Sequence, residues 1–166
     1  MTIHFHDNSS IATAQGLGAN AGDILQTTSI SRLTGDFSTS SNGTLADSGL
    51  SASITPSATS SKVIVIAVLD FMGLGDRDRR LTTTLHYGSV SSSTILAKSQ
   101  GGQYRTGGDN SQSHGQHTYW YLHSPSSTSS LTYRVGLTSG DGSTVRILGG
   151  SGNSTKSYMF LQEVKG

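Results

Sequence analysis

The chain has no cysteine, which excludes a disulfide framework, a thiolate nucleophile and any cysteine-ligated zinc site. Its two prolines are too few for a polyproline or collagen-like rod. Charged residues make up 13% of the composition, about half the usual ~25%. Eleven Lys and Arg against ten Asp and Glu leave a formal net charge of +1, so no global field gathers nucleic acid or an anionic membrane. Neither is expected as a partner. The longest uninterrupted apolar run is seven residues, Val63–Leu69, too short for a helix that spans a bilayer. The opening MTIHFHDNSS has neither the basic nor the apolar region of a signal peptide.

What is present is 30 Ser, 20 Thr and 21 Gly in 166 residues. That length suits one domain with one core. Ser, Thr and Gly are poor helix-interior residues, and no stretch has helical spacing with caps. Short apolar or alternating segments recur instead between Gly, Ser and Asn turns. The clearest is Lys62–Phe71, KVIVIAVLDF, β-branched and apolar at nearly every position, which predicts a central strand buried on both faces. Other expected strands are Asp23–Leu33, Gly49–Thr55, Arg80–Tyr87, Thr94–Lys98, Gln116–His123, Leu131–Leu137, Thr144–Leu148 and Ser157–Val164. In Gly49–Thr55, Leu50, Ala52 and Ile54 alternate with Ser51 and Ser53; in Leu131–Leu137, Leu131, Tyr133, Val135 and Leu137 alternate with Thr132 and Arg134. About eight or nine strands of this kind describe an all-β fold, an antiparallel β-sandwich or jelly roll.

Two connections share a chemistry. Ile54-Thr-Pro-Ser-Ala-Thr-Ser-Ser and Leu122-His-Ser-Pro-Ser-Ser-Thr-Ser-Ser each stop a strand at a proline (Pro56, Pro125) and restart one after a hydroxyl-rich loop. Such paired linkers suit two equivalent edges or two crossings between sheets. Residues 1–21 differ from the rest. With only Ile3 and Phe5 near their start, followed by small residues and glycine, they cannot bury enough surface to order alone. They are expected to form an extended N-terminal arm before a single sandwich domain, residues 22–166.

Few residues suggest chemistry. His4-Phe5-His6 places two imidazoles on one face of a strand, and three such strands around an axis could hold a transition metal. One short pair is weak evidence, and the expectation is that Ile3, His4, Phe5 and His6 contact a neighbouring subunit. His114 and His117, with Asp109 nearby, lack the third ligand on a rigid element that zinc requires, and are read as exposed polar residues. Asp76-Arg-Asp-Arg-Arg80 forms the one charge cluster. Asp76, Arg77, Asp78, Arg79 and Arg80 are read as an exposed loop or a subunit contact, where arginine would matter more than on open surface. Tyr119-Trp120-Tyr121 with Tyr158 and Phe160 suits a core or a subunit interface, or stacking on sugar rings. No nucleophile elbow, His-Glu-x-x-His or phosphate-binding loop occurs. No enzyme activity, metal or cofactor is expected.

Several blocks, in order, carry a resemblance: Gly22-Asp-Ile-Leu-Gln-Thr, Phe37-Ser-Thr-Ser-Ser, Gly49-Leu-Ser-Ala-Ser-Ile-Thr-Pro-Ser-Ala-Thr-Ser-Ser-Lys-Val-Ile-Val, Ser124-Pro-Ser-Ser-Thr-Ser-Ser-Leu-Thr-Tyr-Arg-Val, Thr144-Val-Arg-Ile and Met159-Phe-Leu-Gln-Glu. Together they resemble a family of small β-sandwich structural domains from the virions of tailed bacteriophages, over about Gly22 to Val164. The resemblance implies a β-sandwich virion component, a minor structural, decoration or tail-fibre domain; self-association as a homotrimer and contact with other virion proteins such as the major capsid protein are expected alongside it. A capsid decoration or cement role is the first expectation. A tail-fibre or head-fibre knob that binds host surface glycan is the alternative. The family brings no catalytic motif.

Overall fold

The computed structural model describes residues 3–4, 10–11, 19–74, 79–103, 112–140, 142–150 and 156–166. In chain order the strands are β1 (Ile3–His4), β2 (Ser10–Ile11), β3 (Ile24–Thr27), β4 (Ser31–Arg32), β5 (Phe37–Thr39), β6 (Ala46–Ile54), β7 (Lys62–Leu74), β8 (Arg79–Tyr87), β9 (Ile95–Gln103), β10 (Gln112–His123), β11 (Leu131–Ser139), β12 (Val145–Ile147) and β13 (Tyr158–Val164). A single 3-10 turn, Ser92–Thr94, precedes β9. β1 and β2 pair with each other, within the segment expected to be an arm. The other eleven strands form two antiparallel sheets, and the fold is an all-β sandwich. One sheet runs β3-β13-β7-β12-β5, with β10 on the other edge of β7 and β4 beside β13; the second runs β6-β11-β8-β9.

Two differences raise the strand count above the expected eight or nine. Asp23–Leu33 is two strands, because the Leu161 N–H bonds the Thr28 hydroxyl (3.0 Å) instead of continuing the ladder, and the register slips by one residue. Phe37–Thr39 pairs with β12, although one apolar residue in three gave it no alternation to read. The two proline-ended loops both cross between sheets, β6 to β7 and β10 to β11, at the same end of the sandwich.

The core follows directly from alternation. Val63, Val65, Ala67 and Leu69 of β7 are fully buried, as are Leu50, Leu85, Tyr133, Val135 and Leu137 of the opposing sheet. β7 is central, paired along its length by β10 on one edge and by β13 and β12 on the other. Its expected burial on both faces does not hold among the described residues. Ile64, Ile66 and Val68 point away from the core and are only half-buried, since no element of the described residues packs over them.

Where the two sheets close at one end, the chain's one glutamate is buried at 1% exposure. Glu163 Oε1 accepts the Ser57 N–H (2.7 Å) and the Ser57 and Ser61 hydroxyls (2.6 Å each), while Oε2 accepts Gln26 Nε2 at 2.6 Å. Burial pushes this carboxyl's pKa up. The hydrogen bonds from Ser57, Ser61 and Gln26 outweigh that and hold it at about 2. Three blocks of the resemblance (Gly22–Thr27, Gly49–Val65 and Met159–Glu163) thus meet at one ion that fixes β3 and the Pro56 loop onto β13.

A folded-state pKa below the unfolded value of ~4.3 contributes stability that is fully present above that value and lost as pH falls toward 2. The full loss below pH 2 is on the order of 3 kcal/mol, of which a little over half, about 1.7 kcal/mol, is expected between pH 7 and pH 3 by urea unfolding. Glu163→Gln should lose a similar amount at pH 7 and show little further loss on acidification from this site. A variant with wild-type stability at pH 7 would contradict the clasp.

Candidate functional site

The two outer faces of the sandwich differ in kind. On the β7 sheet, cross-strand neighbours on the solvent side form the rows Phe160–Ile66–Trp120, Tyr158–Val68–Thr118 and Gln162–Ile64–Leu122. Trp120 is 75% exposed and Leu122 53%. Isolated apolar residues on a surface are ordinary, whereas a contiguous strip across three strands marks an interaction site. Both ion pairs formed among the described residues lie elsewhere, Arg134–Asp47 and Arg146–Asp36, so the strip carries no charge pair at its centre.

The opposite outer face, on the second sheet, is almost entirely hydroxyl, amide and cation. Its rows include Gln100–Thr82–Thr138 and Lys98–Thr84–Gly136. The segment Gly88–Ile95 folds back over part of this face and buries His86 completely. His86 Nε2 lies 2.6 Å from Thr84 Oγ1 and Nδ1 lies 3.1 Å from Thr94 Oγ1. Burial lowers the His86 pKa, against the opposing pull of Asp47 and the Ser91 backbone, so this imidazole is held as a neutral, bonded core group. Beside the folded-back segment runs a groove of about 310 Å³, whose lining includes Asn42, Leu45, Thr82, Ile95, Lys98 and Gln100.

The inward side of β10 carries His117, Tyr119, Tyr121 and His123 in turn along the seam between the sheets. His117 Nδ1 is 3.4 Å from Ser99 Oγ, Tyr119 OH bonds Thr83 Oγ1 at 2.8 Å, and His123 Nδ1 bonds Tyr133 OH at 2.9 Å. Burial raises the Tyr119 pKa to about 12, the Thr83 bond opposing it, and lowers those of His117 and His123. His117 was expected to be an exposed polar residue; it is half-buried with Nε2 shielded and unpartnered, because its parity on the strand matches that of Tyr119. His114 is exposed, on β10 and not in a loop.

Of the other residues singled out from sequence, Ile3 and His4 form β1, while Phe5 and His6 fall outside the described residues. Asp76, Arg77, Asp78 and Asp109 also fall outside them. Arg79 and Arg80 are not loop residues: they open β8, opposite Gln103 and Gly102 of β9. The aromatic run Tyr119-Trp120-Tyr121 is divided by the strand, Tyr119 inward and Trp120 outward. Among the described residues no group of three or more His, Asp or Glu could hold a metal ion. The hydroxyl groove was not foreseen, since a run such as Thr82-Thr-Thr84 reads from sequence as any polar strand.

No family model matches the chain, and no curated protein matches it.

The backbone beneath His86 tolerates no side chain. A Cβ on Gly136 would sit 2.6 Å from Thr84 Oγ1 and 2.8 Å from both His86 Nε2 and a methyl of Val90. Gly136→Ala should therefore cost about 1–3 kcal/mol through overpacking and displace the segment Gly88–Ile95. Thermal unfolding measures the first effect and the histidine ring signals by NMR the second.

Proposed function

We propose that this chain is a structural component of a tailed-phage virion, a sandwich that associates with copies of itself as a trimer and sits on the particle exterior as a capsid decoration or cement protein. The observation that carries self-association is the apolar outer face centred on Phe160–Ile66–Trp120. The three strands β13, β7 and β10, at ~4.8 Å spacing and over seven residues at ~3.4 Å each, make a rectangle of about 14 by 24 Å. Its projection, about 340 Å², is roughly two-fifths of the ~800 Å² that each partner gives to a stable interface, before any rim is counted.

Burying the exposed part of the Trp120 indole alone removes on the order of 150–200 Å² from water, about 4–5 kcal/mol before the costs of association. A second copy is the fitting occupant because its own strip has the same uncharged, aromatic and β-branched character. The virion assignment rests on the sequence resemblance; three of its blocks converging on Glu163 supports those blocks as parts of one domain design. A cement protein acts by mass action, binding an assembled lattice better than a free subunit.

The hydroxyl groove favours a second reading, a fibre knob that binds host glycan. Copy number separates the two: hundreds per particle fit decoration, and a few to a few dozen fit a fibre.

Purified protein is expected to scatter light with three times the 17.3 kDa chain mass. Combining Ile66→Thr with Trp120→Ser should weaken association at least a hundredfold, about 2.7 kcal/mol, while cooperative unfolding persists. A monomeric wild type would sink the reading. Removal of residues 1–18 should leave a folded sandwich and lower its occupancy on particles, with equal occupancy counting against a role for the arm.

A further inference from the structure

The groove on the second sheet is built for a ligand of its own. Thr82 lines it at 5% exposure, and its hydroxyl forms no hydrogen bond among the described residues. Gln100 stands directly across the ladder from Thr82, and Lys98 directly across from Thr84, so amide, hydroxyl and ammonium share one face within two rows. Asn42 offers a second amide from the facing loop, while Leu45 and Ile95 supply apolar contact. No carboxylate lines the groove, and Lys98 forms no ion pair among the described residues. Its volume of about 310 Å³ is at the lower end of the range for small-molecule sites, ~300–1,000 Å³.

We propose that this groove binds a small acidic saccharide, a hydroxyl-rich ring carrying one carboxylate. The amides and Thr82 bond ring hydroxyls, the Lys98 ammonium takes the carboxylate, and Leu45 and Ile95 contact the apolar C–H face of the ring. Single-sign lining selects the charge; a neutral sugar leaves Lys98 solvated and gains only the hydroxyl contacts. The proposal deepens the fibre-knob reading and is independent of self-association, because the groove opens on the sheet opposite the apolar strip. Copy number on the particle, which decides between decoration and knob, is untouched by the binding result.

The test is a titration of the ¹⁵N-labelled protein with sodium glucuronate, glucose and sodium acetate at fixed ionic strength. Glucuronate should give saturable shifts at Thr82, Thr84, Lys98 and Thr138, with glucose and acetate at least tenfold weaker. Lys98→Met and the near-isosteric Thr82→Val should each weaken glucuronate at least fivefold, with the rest of the amide spectrum unchanged. Absence of saturable shifts with glucuronate overturns the proposal. So do glucose or acetate binding as tightly as glucuronate, and full retention of binding in both variants.

Discussion

The structure depends on β7 being apolar on both of its faces. One set of its side chains, Val63 through Leu69 on alternate positions, closes the core against Leu50, Leu85, Val135 and Leu137. That burial requires both edges of the strand to be paired, because an unpaired backbone group beside a dry core costs as much as the packing gains. β10, β12 and β13 are recruited to meet the requirement. The other set, Ile64, Ile66 and Val68, has no such cover among the described residues, and its neighbours Trp120 and Phe160 extend the same character across the sheet. The demand for burial is therefore met on one side by folding and, among the described residues, stays unmet on the other.

The second sheet shows the opposite economy. Its outward positions are threonine, glutamine, lysine and arginine, and where a histidine must sit among them the chain folds over it and bonds both ring nitrogens to threonine hydroxyls. The abundance of Ser and Thr has a use beyond solubility here. Short hydroxyls satisfy buried acceptors without bringing charge, as at His86, along the β10 seam and around Glu163. Few charges are needed because hydroxyls do the pairing.

Much of the body was legible in the sequence because period-two alternation is a local signal. Leu50-Ser-Ala-Ser-Ile54 and Leu131-Thr-Tyr-Arg-Val135 declare their buried faces without reference to anything else. β5 was not legible, since its three residues gain strand character only from β12 beside them. The break at Thr28 was hidden for the same reason: a threonine hydroxyl replacing a main-chain acceptor is visible only once β13 is in place. Of the candidate sites, the Tyr119-Trp120-Tyr121 run suits a core, a subunit interface or sugar stacking, and the strand divides it, Tyr119 inward and Trp120 outward; His117 differs from its expected exposure because it shares the inward parity of Tyr119 along β10. The groove depends on residues from 42 to 138 meeting across strands, and no spacing along the chain encodes that.

The hydrogen bonds from Gly22 N to Lys165 O (2.8 Å) and from Lys165 N to Asp23 O (2.9 Å) tie the sandwich's point of entry to its point of exit. A domain wired in this way has both of its ends at one pole. Force applied at either end would load the same junction between β3 and β13, next to the Glu163 clasp, before it reached the opposite pole.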